Sequence, residues 1–120
     1  MSNHPIVHIE FSAENRESTG EFYANLFGWE VQQIPEMNYA TFGSQEGLGG
    51  GFNPYSESAP AGTTVVYIGT DDIPSTLQEI EKAGGKALVP KTEIPGMGWF
   101  AFFEDISGNR VGLYTEMPHQ

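Results

Sequence analysis

The segment Ile6-Val7-His8-Ile9-Glu10-Phe11 alternates apolar and polar side chains, as a half-buried strand does, and it runs into a capped helix. Asn15 can accept from the free amides that open a helix over Arg16 to Phe27, which sets Phe22, Tyr23, Leu26 and Phe27 on one face. Gly28 supplies the stop, since glycine adopts a left-handed backbone at little cost. Strand-like stretches follow at Trp29 to Ile34, Tyr39 to Gly43 and Leu48 to Phe52. Asn53 to Gly62, with Pro54, Pro60 and Gly62, reads as a linker.

The same order then recurs. Thr63 to Ile68 reads as a strand, Asp72 can cap a helix, and Ile73, Leu77 and Ile80 fall at helical spacing. Pro74 is tolerated in the first turn, and Gly84-Gly85 ends the helix. Strands follow at Lys86 to Pro90, Trp99 to Glu104 and Arg110 to Glu116, the last two joined by a turn at Ser107-Gly108-Asn109. At an offset of 57 positions His8 meets Val65, Ser18-Thr19 meets Ser75-Thr76, and Gly28 meets Gly85. The expectation is an α+β fold of two tandem βαβββ modules, whose sheets form a curved cup with the helices outside. Residues 1–120 make a single domain, with module one at 6–52, a linker at 53–62 and module two at 63–116.

Composition narrows the function. Apolar residues make up 38% and aromatics 12% of the chain, enough for one core. Five Lys and Arg against sixteen Asp and Glu leave a net charge of −11, which opposes binding to nucleic acid and to anionic lipid. Without cysteine there is no disulfide, thiolate metal site or thiol nucleophile. The first residues lack the basic and then apolar pattern of a signal peptide. The longest apolar run, Trp99-Phe100-Ala101-Phe102-Phe103, is far short of the roughly 20 residues a membrane span needs. A cytoplasmic protein with a small-molecule partner is expected, and free sheet edges favour a homodimer.

Local motifs extend the repeat into a resemblance. His8-Ile9-Glu10-Phe11, Phe22-Tyr23 and Phe27-Gly28-Trp29 look like the first strand and helix of the vicinal-oxygen-chelate superfamily. That superfamily includes glyoxalases, bleomycin-resistance proteins and extradiol dioxygenases. Residues 91–100 and Phe103-Glu104-Asp105-Ile106-Ser107-Gly108-Asn109 are similar to the second half of its glyoxalase-like members, with Ile106-Ser107 departing from the usual Pro-Asp. In metal-dependent members four strand positions supply ligands. Carried over, the first falls on His8, the fifth-strand ligand on Val65, the last-strand ligand on Gly112, and the remaining one among Gly49, Gly50, Gly51 and Phe52. One donor in four is not a site, so no cofactor is assigned and a divalent metal is disfavoured. His8 and Glu10 are the only metal candidates.

The resemblance implies a glyoxalase-like protein that binds a small, partly apolar organic ligand in the cup, its metal site degenerate. His8, Glu10, Tyr67, Trp99, Arg110 and Tyr114 are expected to line it. If there is chemistry, His8 or Glu10 would move a proton beside a carbonyl, as in a lyase or isomerase. The alternatives are a metal-dependent enzyme of the lactoylglutathione lyase type and a bleomycin-resistance-like dimer that sequesters a drug. Three other features have plainer readings. Gly47-Leu48-Gly49-Gly50-Gly51 lacks the Lys and the helix of a phosphate loop, and reads as a strand that lets another group approach its backbone. Asp105 to Asn109 is a hairpin turn. His4 and His119 lie near the ends and carry no argument.

Overall fold

The computed structural model describes residues 4–57 and 59–118. His119 therefore lies outside the described residues. Eight strands and two α-helices are present among them: β1 (Ile6–Ala13), α1 (Arg16–Phe27), β2 (Glu30–Ile34), β3 (Tyr39–Gly43), β4 (Gly50–Pro54), β5 (Thr64–Gly69), α2 (Ile73–Lys82), β6 (Lys86–Ile94), β7 (Gly98–Glu104) and β8 (Arg110–Glu116). Neither helix is long and apolar enough to cross a membrane. The chain folds as two compact units, His8–Val65 and a second one made of residues up to Val7 with those from Val66 onward. The α+β class and the doubled strand–helix–three-strand order are as the sequence implies.

In the first unit the strand order is β2-β3-β4-β1, with β1 and β4 parallel and the other pairs antiparallel. The Asn15 carboxamide accepts from the amides of Glu17 and Ser18, and Gly28 closes α1 at φ 72°. The helix packs on β2, β3 and β4. Gly20 makes that approach possible, since a Cβ there would come within 2.8 Å of Val31 Cγ1. Ala13, Ala40, Phe42 and Phe52 form the buried layer, and Phe11, Tyr23, Trp29 and Val31 pack against it. Its rings are stacked, Trp29 on Phe42 at 4.6 Å and Tyr23 on Trp29 at 4.9 Å. Of the four apolar residues expected on one face of α1, only Tyr23 turns inward. Phe22, Leu26 and Phe27 are more than half exposed, while Trp29, just before β2, stacks on Tyr23.

The second unit has the strand order β5-β8-β7-β6, with β5 and β8 parallel. Asp72 caps α2 through Ser75, and the helix packs on β6, β7 and β8. Ile73, Leu77, Ala101, Phe103 and Leu113 are its core. The Asp105 carboxylate accepts from the amides of Ser107 and Asn109 and from the Asn109 side chain, so this segment is the expected hairpin turn. Near the start of the chain His4 is tied down, its Nδ1 donating to the Gly69 carbonyl at 3.0 Å. The constant offset of 57 also needs correction. Glu10 pairs with Gly51, and Tyr67, 57 positions on, pairs with Gly112, which is 61 beyond Gly51. The longer β6 and its bulges account for the added residues.

Candidate functional site

Each sheet has one face under its helix and one without. Strand alternation decides which side chains reach the second face. In the first unit Phe11, Ala40, Phe42 and Phe52 point to the helix, so His8, Glu10, Tyr39, Gly51 and Asn53 occupy the other side. The side chains of His8, Tyr39, Glu10 and Asn53 form one hydrogen-bonded chain. His8 Nε2 lies 2.7 Å from the Tyr39 hydroxyl, which donates to Glu10 Oε2 at 3.0 Å. Asn53 Nδ2 donates to Glu10 Oε1 at 3.1 Å. Burial pushes the His8 imidazole below its usual range, because desolvation penalises the charged form. All four side chains are half-buried, and His8 stacks on the Tyr39 ring at 6.5 Å between centroids.

The glycine run explains how Tyr39 gets there. A Cβ on Gly51 would stand 1.8 Å from the Tyr39 hydroxyl, and one on Gly50 would stand 1.8 Å from the Ile9 carbonyl. Both positions must be glycine for the strand pairing and the tyrosine to coexist. The phosphate-loop reading of this segment has no support, and the close-approach reading is what the contacts give.

In the second unit Val111, Leu113, Ala101 and Phe103 face α2, which leaves Tyr67, Phe100, Phe102, Arg110, Gly112 and Tyr114 on the helix-free face. Phe102 is the centre of this group. Tyr67 lies 5.7 Å and Phe100 5.5 Å from it, and the Arg110 guanidinium carbon sits 4.0 Å above its ring. Tyr67 lies across Gly112 as Tyr39 lies across Gly51, for a Cβ on Gly112 would meet the Tyr67 ring at 2.4 Å. Tyr114 donates to the Met97 carbonyl, and burial with the neighbouring Glu116 charge raises its hydroxyl pKa.

Of the residues expected to line a site, His8 and Glu10 come together through Tyr39, and Tyr67 and Arg110 through Phe102. Trp99 does not join either group: it packs against the α2 core and carries the Lys91 ammonium 4.7 Å above its ring. The residues missed were Tyr39, Asn53, Phe100 and Phe102. Three consecutive glycines were the available signal for Tyr39, since bare backbone on a strand invites a bulky cover.

The donor positions that the family resemblance assigns do not fit a metal. Val65 has no donor atom, and Gly51 and Gly112 have no side chain. A tyrosine ring fills the space beside each glycine. His8 and Glu10 are both partners of Tyr39, and among the described residues no group of three or more His, Asp or Glu is placed to hold a metal ion.

Residues 5–113 match the family model for the Glyoxalase/Bleomycin resistance protein/Dioxygenase superfamily. A glyoxylase-like domain-containing protein from Didymella fabae is 30% identical over 115 residues, covering 89% of this chain and 90% of that one. Two relatives, from Mycobacterium bovis and Mycobacterium tuberculosis, are 25% identical, and the chain spans only 45% of their length. In fold it is similar to protein BH1468 of Bacillus halodurans, with a TM-score of 0.77, 15% identity and 99% of both chains covered. It is also similar to a methylmalonyl-CoA epimerase of Streptomyces coelicolor, with a TM-score of 0.68, 18% identity, and 98% and 100% covered. Sequence match and fold agree, and the chain belongs to the Glyoxalase/Bleomycin resistance protein/Dioxygenase superfamily.

Proposed function

We propose that this protein binds a small, partly apolar organic ligand against the helix-free faces of its sheets, without the metal centre of its metal-dependent relatives. One observation carries the reading: Gly51 and Gly112 stand where donors would be needed, and Tyr39 and Tyr67 lie over them. Such faces offer ring surface, hydroxyls and a guanidinium instead of coordination. Aromatic side chains favour a ligand with an aromatic or extended apolar part, and the polar chain through Tyr39 can orient its head. The net charge of −11 disfavours a polyanionic ligand.

The experiment has two arms. Untagged protein is analysed for nickel, zinc, manganese and iron, with less than a tenth of an equivalent expected. A panel of neutral and weakly acidic aromatic compounds is then titrated into the protein by NMR, with shifts expected at Tyr39, Tyr67 and Phe102. Stoichiometric metal lost in His8→Ala, or a panel that moves none of these signals, refutes the reading.

A further inference from the structure

Helix α1 packs one side on its sheet and leaves an apolar flank bare. At about 100° per residue, Ser18, Phe22 and Leu26 form one ridge along the helix, with Thr19 and Asn25 beside it. Phe22 is 56% and Leu26 61% exposed, and Phe27, 62% exposed, continues the apolar surface at the end of the helix by way of the Tyr23 ring. The three side chains leave on the order of 350 Å² of apolar surface in water, a patch of the size that on a monomer is often functional. None of Ser18, Thr19, Phe22, Asn25 and Leu26 is charged, although the chain carries sixteen acidic residues and the opposite flank of the same helix holds Glu17 and Glu21.

That segregation of charge decides what the surface can meet. A contact about a two-fold axis sets a surface against itself, so any charge on it faces its own like. With −11 on each copy, an uncharged stripe is what lets two of them close. The ridge is also complementary to itself. With the helices antiparallel and the axis at Phe22, residues equally far before and after Phe22 come opposite each other. The two Phe22 rings then meet, Leu26 of each copy lies over Ser18 of the other, and Asn25 faces Thr19, so a large side chain falls on a small one at each end. Ser18 gives up nothing there, because its hydroxyl already donates to the Asn15 carbonyl at 3.3 Å. The patch is about half of the roughly 800 Å² that a standard interface takes from each partner, which makes the association weak and concentration-dependent. We infer that this chain forms a two-fold dimer through the Ser18–Phe22–Leu26 ridge of α1 rather than through a free sheet edge. The inference goes beyond the small-ligand reading and does not depend on it.

Sedimentation velocity of the untagged chain from roughly 1 to 200 μM should show a monomer giving way to a dimer and nothing larger, as a closed contact requires. Leu26→Ser and Ser18→Glu should each raise the dissociation constant about tenfold or more. Ser18→Glu sets a carboxylate under Leu26 of the other copy, yet glutamate is favoured at the third helical position behind the Asn15 cap, so the fold is kept; thermal unfolding checks this. Glu21→Gln, on the opposite flank, should change the constant by less than about threefold. The chain has no cysteine, so the pairing can be read directly. A mixture of Ser18→Cys and Leu26→Cys chains should form the mixed disulfide about fivefold or more faster than either chain pairs with itself. A monomer at every concentration, assemblies growing beyond the dimer, a dimer of unchanged strength in both Leu26→Ser and Ser18→Glu, or no preference for the mixed disulfide overturns the proposal.

Discussion

Replacing Gly51 by alanine adds one methyl group where the Tyr39 hydroxyl already is. The new Cβ would lie 1.8 Å from that oxygen and 2.1 Å from the adjoining ring carbon, and a ring seated between strands cannot yield that much in place. Tyr39 must swing away, which breaks its contacts with His8 at 2.7 Å and Glu10 at 3.0 Å. Two lost hydrogen bonds cost roughly 0.5–1.5 kcal/mol each, and overpacking adds about 1–3 kcal/mol, so the total is about 2–6 kcal/mol. For a domain of this size that lowers the Tm by about 8 °C or more. Gly43→Ala is the matched control, because nothing lies within 4 Å of a Cβ there; its effect should stay within about 0.5 kcal/mol. Urea denaturation of Gly51→Ala, Tyr39→Ala and the double variant completes the cycle. Most of the alanine's cost should vanish once Tyr39 is gone, giving a coupling of at least about 1.5 kcal/mol. If Gly51→Ala is as mild as Gly43→Ala, or costs the same in both Tyr39 backgrounds, Tyr39 does not occupy the place described.

Phe52 is wholly buried and packed among the rings of Phe11, Tyr23 and Phe42, so Phe52→Ala should cost about 3–5 kcal/mol in denaturant unfolding. Asn15→Ala removes the acceptor for two amides of α1 and should cost about 1 kcal/mol, with Asn15→Asp recovering most of it. For His8 the sign follows from burial: the folded pKa lies below the unfolded value near 6.5, so the unfolded chain takes up the proton first. Stability is therefore fully present above that value and declines as pH falls toward the lower folded pKa. Denaturation midpoints compared at neutral and mildly acid pH should show a shallower decline in His8→Asn; an unchanged slope would place the loss elsewhere.

Much of the fold was legible because the signals were local. Asn15, Gly28, Asp72 and the Gly84-Gly85 pair punctuate helices by side-chain acceptors and backbone freedom, and the structure uses Asn15, Gly28 and Asp72 in those roles. The faces were harder. In Trp99 to Phe103 both strand phases are aromatic, so alternation could not say that Trp99, Ala101 and Phe103 face α2 while Phe100 and Phe102 face away. The outward turn of Phe22, Leu26 and Phe27 was hidden because α1 is apolar at all four positions and only Tyr23 packs against the buried layer. Of the candidate site, His8 and Glu10 were visible as two polar residues sharing one face of a strand. Tyr39 was not, since its role depends on a crossing over β4 that glycine permits and no periodicity records.

The tyrosine lying over Gly51 also constrains where this sequence can go by mutation. A substitution there to aspartate, glutamate or histidine would supply a coordinating atom, yet its first carbon would already collide with Tyr39. The same obstruction holds at Gly112 under Tyr67. Placing a ligand at either strand thus requires the ring to shrink before or together with the gain, and the intermediate variant has lost one arrangement without acquiring the other. The pairing acts as a ratchet: each glycine–tyrosine couple separates the present chain from a metalloprotein descendant by a fitness valley rather than a single step.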